Sequence, residues 1–323
     1  MTFASVLGHD RIKGLLSRGL RQRRLPPALL FAGPEGVGKK ILALAVGRAL
    51  LCERSDGDTC GECAPCRRAE RGVHPDLFLV EPVTSAIKIE QVREAVREIQ
   101  GRPFEAPARA FVIDDAHALT EQAGNALLKS LEEPPPTSHV FLVTASPQGL
   151  LPTIRSRCQR LRFSPLPAPL LEAHLREQLG LSPEEARLRA ILSGGSLGAA
   201  LAFESEAYRS LRDGLLSLLE GFARWSAVDR MEAAVRLEKQ EDPLLSLTVL
   251  RSLLRDLAAL RAGAQPARIL NADAAPRLQA VASGALGARA ARLAEVAGEA
   301  RGAVRGNANR ALSMDALLDA FAG

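Results

Sequence analysis

The sequence predicts an α/β fold, a parallel sheet with helices on both faces, followed by a small helical unit and an all-helical C-terminal bundle. Three observations carry this prediction. From residue 28 to about 165, short apolar runs alternate with helical patterns, the order that builds a parallel sheet covered on both sides. The glycine-rich stretch Gly33-Pro34-Glu35-Gly36-Val37-Gly38-Lys39-Lys40 joins the first apolar run to the first helical one. Past about residue 165 no convincing strand pattern occurs, and Leu and Ala dominate the last third of the chain.

Taken in order, the first strand is Leu29–Ala32, a continuous apolar run of the kind that fills a strand buried on both faces. After the glycine-rich loop, Ile41–Leu51 is rich in Ala and Leu without proline, and so helical. Strands are expected at Asp76–Val80, Ala110–Asp114 and Val140–Thr144. Between them Ile89, Val92, Val96 and Ile99 are spaced for one helical face. A further helix opens with Thr120 as cap, runs to Leu131 and stops before Pro134-Pro135-Pro136. The sheet domain closes near Pro165-Leu166-Pro167, and Ser193-Gly194-Gly195-Ser196 breaks the helical unit that follows. The expected division is 1–165, with a cysteine module inserted at about 52–66, then 166–204, then 205–323.

Composition bounds the function. At 323 residues and 47% hydrophobic content the chain has material for two or three globular domains. No apolar run approaches the roughly 20 residues a membrane span needs. Met1–Asp10 shows neither a charged-then-apolar signal pattern nor a cleavage site, so a cytoplasmic location and no membrane partner are expected. A formal charge of +5 is compatible with nucleic acid and equally with a solvated surface. One Trp and one Tyr argue against stacking of exposed bases, so any DNA contact would be mainly to phosphate.

Gly33–Lys40 has the spacing of a phosphate-binding loop. In such a loop the backbone N–H groups freed by Gly33, Gly36 and Gly38 cradle phosphates, the lysine (Lys39) reaches the outer phosphates, and a Ser or Thr hydroxyl ligates Mg²⁺. Lys40 stands where that hydroxyl should be. Without a held ion the charge that develops in phosphoryl transfer goes largely unneutralised, which makes hydrolysis slow or absent and puts ATP and Mg²⁺ binding by this chain in doubt. A ligand-free glycine turn is the alternative, and the strand and helix on its flanks argue against it.

Asp114 and Asp115 end an apolar strand at the carboxyl edge of the sheet, where ligands bind in open α/β folds. They fit the acidic half of a nucleotide site, although Asp115 is one methylene shorter than the usual Glu; capping of the turn at Ala116-His117-Ala118 is the alternative. Thr144 and Ser146 either bond a phosphate or water or cap the turn at Pro147. Cys52, Cys60, Cys63 and Cys66 are close enough in sequence for one tetrahedral zinc ion, with Gly57, Gly61 and Pro65 supplying turns. Four thiolates would leave no open coordination position, which makes the metal structural; disulfides are the alternative and a reducing compartment disfavours them. Cys158 lies far from the cluster and reads as a small buried residue, and the five histidines show no partner spacing.

Several segments converge on one resemblance: the loop Gly33–Lys39, the four-cysteine insert, the run from Asn125 through Leu131-Glu132-Glu133-Pro134 to Pro135, and Ser156-Arg157-Cys158. Together they resemble the AAA+ subunits of bacterial DNA polymerase III clamp loaders, most strongly from Gly8 to Phe163. Within that family the gamma/tau type ends its loop in Lys-Thr and carries a sensor arginine after Gly-Ser-Leu. Here Lys39 is followed by Lys40, and Gly195-Ser196-Leu197 by Gly198. Both departures point to the delta-prime type, as does Asn307-Ala308-Asn309 and a chain that ends after one helical bundle.

The resemblance implies a stator in a five-subunit ring with gamma/tau and delta subunits, which opens the sliding clamp and loads it on primed DNA. It implies that Arg157 is an arginine finger reaching the γ-phosphate of ATP held by a neighbouring gamma/tau subunit. It further implies that 166–204 is a lid and that the helices from about 205 form part of a collar. Two other readings stay open: an ATP-hydrolysing gamma/tau-type subunit, and a free-standing nucleic-acid-binding AAA+ protein or zinc-module adaptor.

Overall fold

In the computed structural model, residues 2–221, 226, 228–229, 232–233, 235, 242–306 and 308–322 are described. The chain divides into two compact units, Met1–Leu201 and Ala202–Gly323. Asn307 lies outside the described residues.

The first unit is built on five strands, β1 Ala28–Ala32, β2 Leu77–Val80, β3 Arg109–Ile113, β4 Ser138–Thr144 and β5 Gln159–Arg162. They form one sheet in the order β2-β3-β4-β1-β5, with every pairing parallel. Side chains alternate across it. Leu29 and Phe31 of β1, Ala110 and Val112 of β3, and Phe141 and Val143 of β4 enter one core. Leu30, Phe111, Ile113, Val140 and Leu142 enter the other. Both faces are therefore dry, which is why these strands read as unbroken apolar runs.

Helices cover each face. Leu16 of α1 (Asp10–Arg21) and Leu42, Ala43 and Val46 of α2 (Lys39–Leu51) seal the first core. The short α3 (Ala64–Glu70) belongs to the cysteine module. The second core is sealed by α4 (Ile89–Ile99), α5 (Glu121–Glu132) and α6 (Pro152–Arg157), through Val92, Ile99, Leu127, Leu131 and Ile154. Each fully buried Leu or Ile of this kind is worth about 1.5–3 kcal/mol. Thr120 caps α5 as expected, its Oγ1 accepting the Ala123 N–H at 3.3 Å, and the helix ends before Pro134.

The four anticipated strands are present within two residues at each end. The fifth, β5, is not anticipated by the sequence. It is an edge strand whose residues Gln159, Arg160 and Arg162 are exposed and only Leu161 is buried, so it lacks the apolar run that betrays its neighbours. Three further helices, α7 (Ala168–Leu179), α8 (Pro183–Leu192) and α9 (Leu197–Leu201), complete the unit around Leu166, Leu171, Leu175, Ala186 and Ala190.

The described part of the second unit is helical: α10 (Ser205–Gly221), α11 (Pro243–Arg261), α12 (Ala275–Ala282), α13 (Ala285–Arg305) and α14 (Arg310–Ala322). Gly287 of α13 lies against Ala282 of α12, and small residues further along α13, among them Ala290 and Ala297, are buried. They let α11 pack closely along it, with Leu247, Leu250, Leu253, Leu254 and Leu257 filling the interior. Inside the unit the Tyr208 hydroxyl donates to Asn271 Oδ1 at 2.6 Å, and Asn271 Nδ2 donates to Asp256 Oδ2 at 2.7 Å. Among the described residues no helix is long and apolar enough to cross a membrane.

Candidate functional site

The glycine-rich loop leaves the carboxyl end of β1 and turns into α2. Gly36 and Gly38 have φ of +69° and +100°, a backbone region that side chains disfavour, and a Cβ on Gly33 would lie 2.3 Å from the Phe163 carbonyl oxygen. The loop thus has the shape of a phosphate cradle, but its lysines are engaged internally. Lys39 is 6% exposed, and its Nζ donates to the carbonyl of Pro34 within the loop. Burial pulls the Lys39 ammonium below its ordinary pKa, partly offset by Glu35, Asp114 and Asp115.

Lys40 Nζ lies 3.0 Å from Asp114 Oδ2 and also donates to Glu81 Oε1. Desolvation opposes its charge, yet Glu81 and Asp114 outweigh this and hold its pKa above the usual value. Asp114 follows the last residue of β3, and its carboxylate is spent on a protein ammonium. Asp115 sits in the left-handed region at φ +44° and makes no side-chain cap to the Ala116–Ala118 turn. At the end of β4 the Thr144 hydroxyl accepts the Ser146 N–H at 3.0 Å and bonds His117 Nδ1 at 3.3 Å, so it serves the turn.

The start of α9 and the turn before it rest on the loop. Gly198 N–H donates to the Gly36 carbonyl at 3.0 Å, and a Cβ on Gly36 would fall 2.2 Å from Ser196 Oγ. A Cβ on Gly198 would meet Gly36 Cα at 3.2 Å. The residue after Gly195-Ser196-Leu197 is therefore packed against loop backbone. His9 joins the same neighbourhood, bonding the Val37 carbonyl through Nε2 at 3.0 Å and meeting Phe163 edge-on.

Cys52, at the end of α2, Cys60 and Cys63, in the connection, and Cys66, in α3, come together with their Sγ atoms all within 4.8 Å of one another. All four are free thiols. A tetrahedral ion with metal–sulfur bonds of about 2.3 Å needs sulfur atoms about 3.8 Å apart; Cys60 and Cys66 lie at 3.9 Å and Cys52 and Cys63 at 4.0 Å. The Cys60 and Cys63 N–H groups donate to the sulfurs of Cys52 and Cys60, each at 3.4 Å, and Thr59 Oγ1 lies 2.9 Å from Cys66 Sγ. Gly57 and Gly61 turn the chain at φ of +82° and +76°. The N–H groups of Cys63 and Glu62 pull the Cys60 thiol down to about 6, while desolvation pushes Cys52 and Cys66 up. The donor set fits a thiolate-bound metal that displaces protons as it binds. Cys158 stands apart, buried in the second sheet core.

Arg157 ends α6, two residues before β5. Its Nη2 lies 2.6 Å from Glu132 Oε1 and its Nη1 donates to the Thr153 carbonyl at 2.9 Å. The Arg157 side chain is one-third exposed. Sequence reasoning missed Glu81 and Glu132. Glu81 had a signal, because it follows strand β2 directly as Asp114 follows β3; Glu132 had none beyond its place in the Leu131-Glu132-Glu133-Pro134 run.

A family profile described as DNA polymerase III, delta subunit matches residues 8–167. The DNA polymerase III subunit delta' of Bacillus subtilis (strain 168) is 36% identical over 210 residues, 65% of this chain and 64% of that protein. The DNA polymerase III subunit tau of Escherichia coli (strain K12) is 33% identical over 73% of this chain and 38% of that protein. A solved DNA polymerase III gamma subunit-related protein from Thermotoga maritima has a TM-score of 0.39 at 17% identity, covering 96% of this chain and 98% of that one. The chain thus spans less than two thirds of the length of these curated relatives. Its parallel sheet, glycine loop and flanking helices define an α/β protein with a P-loop-like turn and a cysteine module after the loop helix. The chain is similar to the delta-prime and tau subunits of the DNA polymerase III assembly.

Proposed function

We propose that this chain is a delta-prime-type clamp-loader subunit: a stator, unable to hydrolyse ATP itself, that lends Arg157 to ATP held by an adjacent gamma/tau subunit while the complex loads a sliding clamp onto primed DNA. The observation that carries this reading is the occupation of Asp114 by Lys40 at 3.0 Å. The acid that would help hold magnesium is neutralised from within, and the position that would supply the hydroxyl supplies the neutralising charge. Lys39 turned onto Pro34 and Gly198 resting on Gly36 point the same way.

Arg157 supports the donor half of the reading. It is rigidly supported by α6, partly exposed and always charged, and a finger supplied to a neighbour's phosphoryl transfer is worth about 10³ to 10⁵ in rate. On this reading gamma/tau and delta subunits are its ring partners, 166–204 is a lid fixed on 1–165, and 205–323 joins the collar. The four cysteines hold one structural zinc ion, a closed site that stiffens the segment after α2 and takes no part in chemistry.

The experiment is an ATPase assay on the isolated chain and on the complex reconstituted with gamma/tau and delta. The expected result is no turnover by the chain alone and clamp loading by the complex. Steady hydrolysis by the isolated wild type moves the assignment to the gamma/tau type, which the tau match leaves as the second reading. Failure to associate with gamma/tau and delta moves it to a free-standing AAA+ protein.

A further inference from the structure

Lys40 is the second residue of α2, where the positive end of the helix dipole disfavours a cation. Two carboxylates hold it there nonetheless. β2 and β3 pair with Val80 opposite Ile113, so the residues that follow, Glu81 and Asp114, leave the sheet side by side. Adjacent carboxylates repel and demand a positive charge between them. In a working loop of this type the charge at the acidic edge is a magnesium ion, and the residue after the lysine provides its hydroxyl ligand. In this chain the same position provides an ammonium, in contact with both Asp114 and Glu81.

We propose that Lys40 is a built-in cation: its ammonium takes the position of a metal ion between Glu81 and Asp114, so the repulsion at the acidic edge is relieved with neither metal nor nucleotide present. Lys40 is then more than a lost ligand. The loop stays in one charge state whatever the ATP or magnesium level, and the carboxylates behind it keep the geometry of a cation site that becomes available when the ammonium is removed. The inference shares with the proposed function the reading of the loop as incompetent, but it makes a separate claim about this chain alone.

The test uses the full chain with Mg²⁺ as the only probe, without nucleotide or partner subunits, read by thermal unfolding and by titration calorimetry. Wild type and Lys40→Arg are expected to show no saturable response to millimolar Mg²⁺. Lys40→Thr is expected to melt lower in chelator and to be raised by about 2–4 °C by millimolar Mg²⁺. Adding Asp114→Asn to Lys40→Thr should abolish that response. If Lys40→Thr folds only with Mg²⁺ present, the proposal stands; if it stays unfolded in Mg²⁺, or folds and ignores Mg²⁺, the proposal fails. It fails equally if wild type takes up Mg²⁺ as the variant does. Because no ATP or partner is present, none of these results depends on whether Arg157 serves a neighbour, which the assays on the complex decide.

Discussion

The guanidinium of Arg157 is bound to the carboxylate of Glu132 at 2.6 Å, so the last residue of α6 is tied to the last residue of α5. The pair is partly exposed and contributes little to folding, within about 1 kcal/mol. Its effect is to hold a charged fork with one of its faces already engaged.

Replacing Arg157 with Ala should therefore leave folding and association intact and lower ATP hydrolysis by the reconstituted complex. At the site it serves the loss should be about 10³-fold or more. Arg157→Lys should not restore the rate, because an ammonium cannot bond Glu132 and a phosphate with the same planar fork. Pre-steady-state hydrolysis in the complex, beside thermal melts of the isolated chain, checks both statements. An unchanged rate for Arg157→Ala removes the residue from this role.

The cysteine cluster should return about one equivalent of zinc per purified chain by elemental analysis. Cys66→Ser should lose the metal and lower the melting temperature, as should a strong chelator. Structural thiolate sites bind zinc with about 10–16 kcal/mol, part of which is folding energy. Limited proteolysis should cut within 52–66 only after metal removal. A folded, protease-resistant and metal-free wild type refutes the zinc reading.

Asp76 gives a pH prediction. It is fully buried; burial alone raises its pKa, but the N–H groups of Glu105, Phe104 and Ala106, with Arg109 at 3.1 Å, hold the carboxyl below its ordinary value. A group whose folded pKa is depressed stabilises the fold above its unfolded pKa, about 3.9, and that stability is lost as pH falls through the folded value. Unfolding free energy should decline as pH falls below about 4, and Asp76→Asn should flatten that decline. The same substitution should cost about 1.5–3 kcal/mol at neutral pH, because the N–H groups of Phe104, Glu105 and Ala106 lose a charged acceptor, while Arg109 keeps Glu98 at 2.9 Å. Denaturant melts across the pH range measure both.

In the helical unit, Tyr208→Phe removes the donor to Asn271 Oδ1 and leaves that oxygen buried without it. The expected cost is about 1–3 kcal/mol, read from denaturant midpoints. Desolvation pushes the Tyr208 phenol up to about 12, so no Tyr208 titration should appear below pH 10 in absorbance.

What the sequence revealed and what it hid divide along physical lines. Strands β1, β3 and β4 were legible because both faces are dry, so Leu29–Phe31 and Phe111–Ile113 carry no polar residue. β5 was hidden because an edge strand needs only one buried side chain, Leu161. The loop glycines and the four cysteines were legible because their spacing along the chain is the signal. Their meaning was less so. That Lys40 lacks a hydroxyl is visible in one letter, but its contact with Glu81 spans 41 positions and depends on the register of β2 against β3. Glu132 lies equally outside any local pattern relative to Arg157. Partners recruited through the fold leave no periodicity to read.

β1 and β5 run side by side, with Leu29 opposite Gln159 and Ala32 opposite Arg162. The glycine loop departs from the carboxyl end of this strand pair, and Arg157 enters at the amino end. The loop and Arg157 therefore lie at opposite ends of one pair of parallel strands. Any contact that brings the arginine of one such domain to the loop of another joins unlike surfaces, and a contact of that kind has polarity: it closes head-to-tail into a ring or runs on as a filament, and never pairs two copies back to back.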